Sequence, residues 1–404
     1  MHFALLGDHP DGLDMARALV ESGRHHLLAF SGSPLAAEHL RRWGITAHPI
    51  GDMEEILADP AIDAVIVAGK PADRAAQLRR ALQAERHVLC VHPADDSPDI
   101  AYEAAMIQAD TRVHLLPLLP ETLHPGIRRL AELVRSAAGS PRLRLVEMER
   151  TSADAVLLDV DALGYKPSLP GWDVLRLLGG EIVEVMGLAA PEEVTGDDPL
   201  LVAGCFQRGG LFQVTLLPRQ SGLRWRTTIR TGYDNLELTF PDGWPGPSRL
   251  TWRDERGARH EETWNSWNPW PAFVDLCDAT CDWRLPSWQD EIRCLELDDA
   301  ARRSVQRRRA STLEYQQVTE EAGFKGTMTL VGCSLLWGSV VVLLLSAWLP
   351  WLLWFIVPGF ALFLILQLLR WLMPSSEAKS EGQQPIVETK PKSEANADSI
   401  TKAT

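Results

Sequence analysis

Gly7-Asp8-His9-Pro10-Asp11-Gly12 stands where a short apolar run, residues 3–6, gives way to the helical spacing of residues 13–20. Glycine at both ends of such a turn permits a tight reversal and lets backbone N–H groups approach an anionic diphosphate at a helix N-terminus. The middle glycine of that pattern is replaced by His9, and Asp8 and Asp11 bring carboxylates toward any anion. Gly7 and Gly12 read equally well as packing glycines. A second candidate is Val91-His92-Pro93, which closes another apolar run. An imidazole titrates near neutrality, with an ordinary pKa of about 6.5, and so could exchange a proton with a ligand. The alternative is a polar residue capping a loop.

Trp264, Trp267, Trp270, Trp283 and Trp288 form an aromatic run. Indoles stack on sugar rings, but a tryptophan-rich core or a membrane-facing edge accounts for the run as well. The six cysteines lack paired CxxC spacing. Cys277 and Cys281 could share a helix face, yet neither a histidine nor a second cysteine pair lies close in sequence, so no metal is expected and the thiols read as reduced and buried.

The elements that must position these residues alternate. Apolar strand-like runs at residues 3–6, 26–30, 46–50, 63–68 and 87–91 are separated by helical spacing at 13–20, 35–43 and 72–83. The run Asp63-Ala64-Val65-Ile66-Val67-Ala68 is apolar after its first residue, as a strand buried on both faces of a parallel sheet requires, and Asp63 reads as a turn residue. This predicts an α/β, Rossmann-type doubly wound parallel sheet over residues 1–118. Beyond a helix at 127–136, alternation of period two takes over at 143–150, 201–206, 211–217, 223–231, 235–240, 249–254 and 259–264, with helices at 172–178, 272–281 and 288–309. Short Gly-, Asp- and Pro-containing turns make that sheet mostly antiparallel, an α+β domain over residues 119–320.

Between Lys325 and Arg370 no charged residue occurs, and Leu, Val, Trp and Phe dominate. A bilayer core needs about 20 apolar residues per helix. The Trp348-Leu349-Pro350-Trp351 break divides the stretch, so a transmembrane hairpin is expected over residues 327–373, the alternative being a buried core hairpin. Arg302, Arg303, Arg307, Arg308, Arg309 and Lys325 precede it and Arg370, Lys379, Lys390 and Lys392 follow. The positive-inside rule then places both termini in the cytoplasm, and the arginines before the first span could meet anionic headgroups of the lipid bilayer. Residues 374–404 are too poor in apolar side chains to fold and read as a disordered tail. The start of the chain lacks the pattern of a secretory signal. A net charge of −14 argues against a nucleic-acid partner.

Ile56-Leu57-Ala58-Asp59-Pro60-Ala61-Ile62-Asp63 running into residues 64–68, and Ala81-Leu82-Gln83-Ala84-Glu85-Arg86-His87-Val88-Leu89-Cys90, resemble the fourth and fifth strand units of the glucose-fructose oxidoreductase, inositol dehydrogenase and MocA (Gfo/Idh/MocA) family. His124-Pro125-Gly126-Ile127-Arg128-Arg129-Leu130 resembles the first helix of that family's second domain, and Asp173-Val174-Leu175-Arg176-Leu177-Leu178-Gly179 its substrate-side helix. The resemblance covers residues 1 to about 310. It implies a nicotinamide-dependent oxidoreductase of a sugar or polyol derivative, NAD or NADP in a cleft formed by Gly7, His9, Gly12, Ser31, Gly69, His92 and Pro93, and homo-oligomers through the second-domain sheet. The acidic residue that receives the ribose hydroxyls of NAD is absent from Phe30-Ser31-Gly32-Ser33, and no arginine stands there to hold the 2'-phosphate of NADP. His92 occupies the position of the family's catalytic lysine. Pro170 occupies that of its histidine, which leaves Asp173 beside the substrate, with Tyr165 and Lys166 near in sequence. Two classes therefore stay open: a membrane-anchored NAD(P)-dependent oxidoreductase with His92 and Asp173 as catalytic residues, or a non-catalytic relative that binds a ligand or serves as a scaffold.

Overall fold

The computed structural model describes residues 1–95, 97–136, 143–151, 171–189, 199–217, 225–231, 235–254, 256–278, 286–307 and 311–312. Residues 1–315 make one compact unit. The expected hairpin (327–373) and tail (374–404) lie outside the described residues, as do Tyr165, Lys166, Pro170, Cys281 and Trp283. Among the described residues no helix is long and apolar enough to cross a membrane.

The first sheet is formed by β1 (His2–Gly7), β2 (His26–Ser31), β3 (His48–Pro49), β4 (Ala64–Ala68), β5 (His87–Val91) and β6 (Leu115–Leu118), all parallel, in the order β3-β2-β1-β4-β5-β6. The order reverses between β1 and β4, the place where ligands bind in doubly wound sheets. All five residues of β4 are buried, as expected of a strand covered on both faces. One face packs against α1 (Pro10–Glu21) and α2 (Pro34–Arg42), the other against α3 (Met53–Ala58), α4 (Pro71–Gln83) and α5 (Pro98–Ala109).

Helix α1 begins at Pro10, earlier than the spacing of Leu13 onward indicates, because proline suits the first helical position and His9 caps it. Asp11 and Gly12 thus belong to the helix, not to the preceding turn. The strand expected over residues 46–50 shrinks to two residues, one of them Pro49, which cannot donate to a ladder. Helix α5 has no sequence counterpart above. Its Ile100, Tyr102, Ala105 and Ile107 pack at the edge of the core while Met106 is exposed, so no single apolar stripe marks it.

The second sheet has nine strands in the order β14-β13-β12-β11-β7-β10-β9-β8-β15. They are β7 (Leu145–Thr151), β8 (Ile182–Ala189), β9 (Leu200–Phe206), β10 (Leu211–Leu217), β11 (Trp225–Arg230), β12 (Asn235–Thr239), β13 (Ser248–Arg253), β14 (Arg259–Trp264) and β15 (Ser311–Thr312). All pairs are antiparallel except β7 with β10. Strand β8 escapes a period-two reading because its register shifts between Ile182 and Glu184. In β7 alternate residues Val146, Met148 and Arg150 are buried on the side of α6 (Pro125–Ser136) and α7 (Trp172–Gly179), while Glu147 and Glu149 pair with Arg230 and Arg226 of β11. Met186, Leu188 and Leu211 remain exposed.

The last two described helices return to the first sheet. Phe273, Val274 and Cys277 of α8 (Trp270–Asp278) join the core on the α1 side, and Trp288, Ile292 and Leu295 of α9 (Trp288–Arg307) join the core on the α5 side. Cys294, Leu297 and Ala301 of α9 face the second sheet's core. One helix therefore carries side chains into both cores, which is what places a residue of α9 beside the end of β5.

Candidate active site

The C-terminal ends of β1, β4 and β5 meet at this crevice. Gly7 ends β1 with φ +114°, and a Cβ there would lie 2.2 Å from the carbonyl atoms of Ala68. A Cβ on Gly12 would stand 2.3 Å from the Cβ of Ala68. Both glycines are thus required by the approach of β1 and α1 to β4. That satisfies the packing reading fully, and it is also the role of the outer glycines in dinucleotide loops.

His9 does what the sequence did not announce. Its backbone is extended (φ −60°, ψ 135°), and its ring Nδ1 accepts the Asp11 N–H at 3.2 Å, capping α1. The amides of Asp8 and His9 both donate to the Ala68 carbonyl, at 3.1 and 3.0 Å. Pro10 has no N–H. Desolvation, aided by Arg74, holds the His9 pKa down to about 4, so its ring is neutral near pH 7 and able to accept. Asp11 is pushed up to about 6, by desolvation first and by Asp14 second, although 41 % of its side chain still meets solvent, which screens the effect. The amides of Asp8, His9 and Asp11 at this helix end are thus used within the chain. In this arrangement the residues of the α1 end do not fit a dinucleotide in the usual pose.

Ser31 ends β2 opposite Leu6, and Ser33 caps α2 by accepting the Ala36 N–H at 3.3 Å. Gly69 follows β4, where its N–H donates to the Gln77 side chain at 3.2 Å and its carbonyl accepts from Arg74 Nε at 2.7 Å. Arg74, fully buried on α4, also donates to the carbonyl of Pro93. It therefore ties the turn after β4 to the turn after β5, where the His92–Pro93 peptide is cis.

His92 is met by a partner far away in sequence. Glu291 of α9, wholly buried, accepts from His92 Nδ1 at 2.7 Å and from the Ala94 amide at 2.7 Å. Because Nδ1–H donates to the carboxylate, the other ring nitrogen, Nε2, is the one available to a ligand. Desolvation lowers the His92 pKa, but Glu291, with Asp173 and Asp298 behind it, outweighs that and raises it above the ordinary value. Asp173, buried in the first turn of α7, is pushed up to about 7 by burial and by Glu121, against the pull of Arg150 and His92. Arg150 forms a two-pronged pair with Glu121 at 2.7 Å and lies 4.5 Å from the Trp225 ring centroid. The structure thus brings His92 and Asp173 into one electrostatic neighbourhood with Arg74 and His9.

Glu291, Arg74, Arg150 and Glu121 are site residues that sequence reasoning missed. Glu291 follows Asp290 on a helix full of charges, and only the reach from α9 to the end of β5 distinguishes it.

The described members of the aromatic run, Trp264, Trp267, Trp270 and Trp288, pack in or against the cores. Trp270 and Trp288 are buried, with Trp288 Nε1 donating to Ala101 O at 2.8 Å, and Trp264 packs against the second core. Trp267 packs edge-on against the buried His124. Among the described residues, none of Cys90, Cys205, Cys277 and Cys294 is in a disulfide. Among the described residues no cluster of three His, Cys, Asp or Glu side chains could hold a metal ion.

With this geometry in place, the likeness to known proteins is informative. Residues 12–115 match the model of the Gfo/Idh/MocA oxidoreductase family, described as having an NAD-binding Rossmann fold. An uncharacterised oxidoreductase, YrbE, of Bacillus subtilis (strain 168) is 25% identical over 177 residues, 41% of this chain and 50% of that protein. The match thus spans about half the length of that relative. A levoglucosan dehydrogenase in complex with NADH and levoglucosan superimposes with a TM-score of 0.65 at 16% identity, over 78% of this chain and 100% of that one. A putative myo-inositol dehydrogenase from Sinorhizobium meliloti 1021 does so with a TM-score of 0.62 at 18% identity, again over 78% and 100%. At these identities the structures establish the fold. The family resemblance is supported by the family model and by these structural neighbours.

Proposed function

We propose that this chain is a membrane-anchored oxidoreductase-type protein of the Gfo/Idh/MocA kind, taking a sugar or polyol derivative in the crevice between His92 and Asp173. The observation that carries the reading is the His92–Glu291 pair, a buried carboxylate that orients an imidazole and raises its pKa above the ordinary value at the end of β5. Such a group can give a proton to a ligand oxygen through Nε2 and take it back. The family model and the NADH bound to the levoglucosan dehydrogenase support NAD as the redox partner, with NADP as the alternative. The levoglucosan bound to that enzyme and the myo-inositol in the other protein's name support the substrate class.

A second reading, a non-catalytic ligand-binding relative, is favoured by one observation: the donors at the α1 end are already used by Ala68 O and His9. The anchor is supported by the uncharged stretch before Arg370, with both termini on the cytoplasmic side by the distribution of Lys and Arg. The exposed apolar residues of the second sheet support association of copies through that face.

Titration of the detergent-solubilised full chain with NADH and NADPH, followed by nicotinamide fluorescence, separates the two readings. Saturable binding, and oxidation of a polyol when NAD is supplied, supports the enzyme. Polyol binding without dinucleotide binding at millimolar concentration establishes the ligand-binding relative.

A further inference from the structure

Next to Asp173 lies a cavity of about 330 Å³, walled by α6, α7 and the start of α9. Its charges do not balance in the way the rest of the site does. Arg176 at its wall is neutralised twice, by Glu181 at 2.7 Å and Asp290 at 2.6 Å. Glu132 leans on Arg129 at 3.4 Å. Arg128 and Arg135 have no carboxylate partner among the described residues; Arg128 donates only to the Thr122 carbonyl, at 3.3 Å. The two arginines lie seven residues apart on α6, so they share one helix face, separated by about 10 Å along it. Asp173, which also lines the cavity, has its pKa pushed up to about 7 by its burial and by Glu121, so a large share of it is protonated near neutral pH. A protonated carboxyl there offers a ligand a donor and does not repel an anion.

We infer that the ligand of this cleft carries a carboxylate: a sugar acid rather than a neutral sugar, its acidic group received by Arg128 and Arg135 and a hydroxyl by Asp173. This rests on the proposed reading that Asp173, which lines this cavity, receives the ligand. Guanidinium groups suit a carboxylate because their fixed fork matches its two oxygens, and both arginines are exposed enough to reach a ligand without losing a structural role.

The test is calorimetric titration of the detergent-solubilised full chain with D-glucuronate and with D-glucose, which differ at one carbon by a carboxylate against a hydroxymethyl. Glucuronate is expected to bind at least tenfold more tightly, the difference shrinking as salt rises. Arg128→Gln with Arg135→Gln should abolish that preference, whereas Glu132→Gln, which removes the nearby negative charge, should strengthen glucuronate binding severalfold. Equal binding of the two sugars, unmoved by the arginine changes, overturns the inference while the sugar-site reading stands. Binding of neither sugar overturns both. Glucuronate binding that the arginine pair does not affect overturns the assignment of these residues.

Discussion

Glu291 Oε2 lies 2.7 Å from His92 Nδ1 although the two residues are 199 positions apart in sequence, and the same carboxylate holds the Ala94 amide with its other oxygen. A histidine whose folded pKa is raised contributes stability that is present below about pH 6.5 and is lost as pH rises through the higher folded value. Glu291→Gln keeps the shape and removes the charge. Burial, which opposes the imidazolium, then dominates, and the His92 pKa should fall below the ordinary value. Proton-detected titration of the imidazole resonances checks this; a His92 pKa unchanged in the Gln variant would show that Glu291 is not what charges it.

Gly7 and Gly12 both touch Ala68 but through different atoms, and that separates their substitutions. Gly12→Ala drives one methyl into another, a core overpacking worth about 1–3 kcal/mol. Ala68→Gly in the same chain should recover much of it. Gly7→Ala meets backbone atoms and also has φ +114°, so it should cost about 3 kcal/mol or more, with no recovery from Ala68→Gly. Urea denaturation of the four variants measures the coupling; equal recovery in both pairs would contradict the packing account.

These contrasts show how much the sequence disclosed. Strands β1, β2, β4 and β5 are legible because near-continuous apolar runs of that length have few other uses, and β7 because its Val146 and Met148 alternate with glutamates. Helix α5 is hidden by apolar residues spread around its circumference, and β8 by its register shift. At the site, His92 and Asp173 are readable from motif position, but what tunes them is not. Glu291 reaches His92 because α9 threads both cores, and Arg74 spans the turns after β4 and β5 by a tertiary path that no local pattern encodes. His9 stands where a glycine was expected, and only coordinates reveal that its ring caps the helix.

Asp173 gives a pH signature of the opposite kind to that of a paired carboxylate. Its folded pKa of about 7 lies above the ordinary value, so the folded state holds this proton more tightly, and that contribution to stability is lost as pH rises from 4 through 7. Asp173→Asn removes the cost of ionising a buried carboxyl. The variant should gain stability relative to wild type above pH 7, by roughly 1–3 kcal/mol, and little below pH 4. Thermal unfolding across pH 4–9 reads the difference; a larger gain at low pH would contradict the assignment.

Removal of residues 326–373 tests the anchor. The described body packs as one compact unit over Met1–Tyr315, with two sheets and three apolar clusters complete within it. The shortened chain should therefore leave the membrane fraction and show the same cooperative unfolding as the full chain in detergent. Aggregation on deletion would mean that the apolar stretch packs against the body and is no anchor.

The helix end beside His9 decides between the two functional readings. In the wild type, the ring of His9 takes the Asp11 amide, Pro10 supplies none, and the amides of Asp8 and His9 point to Ala68 O. His9→Gly frees the Asp11 donor and removes a side chain from the place where a pyrophosphate would approach the backbone. The φ of −60° at this position suits any residue, so the exchange introduces no strain, and because glycine is itself a fair N-cap the lost side-chain cap costs only a few tenths of a kcal/mol, on the order of 0.3 kcal/mol. NADH affinity should rise about tenfold, or about 1.4 kcal/mol, as read from nicotinamide fluorescence. A gain of that size marks the natural loop as one closed against the cofactor and favours the ligand-binding relative. Tight NADH binding by the wild type, unchanged in the variant, would show that the cap opens on binding or lies outside the cofactor's path, and would leave the oxidoreductase with His92 as its proton-exchanging residue.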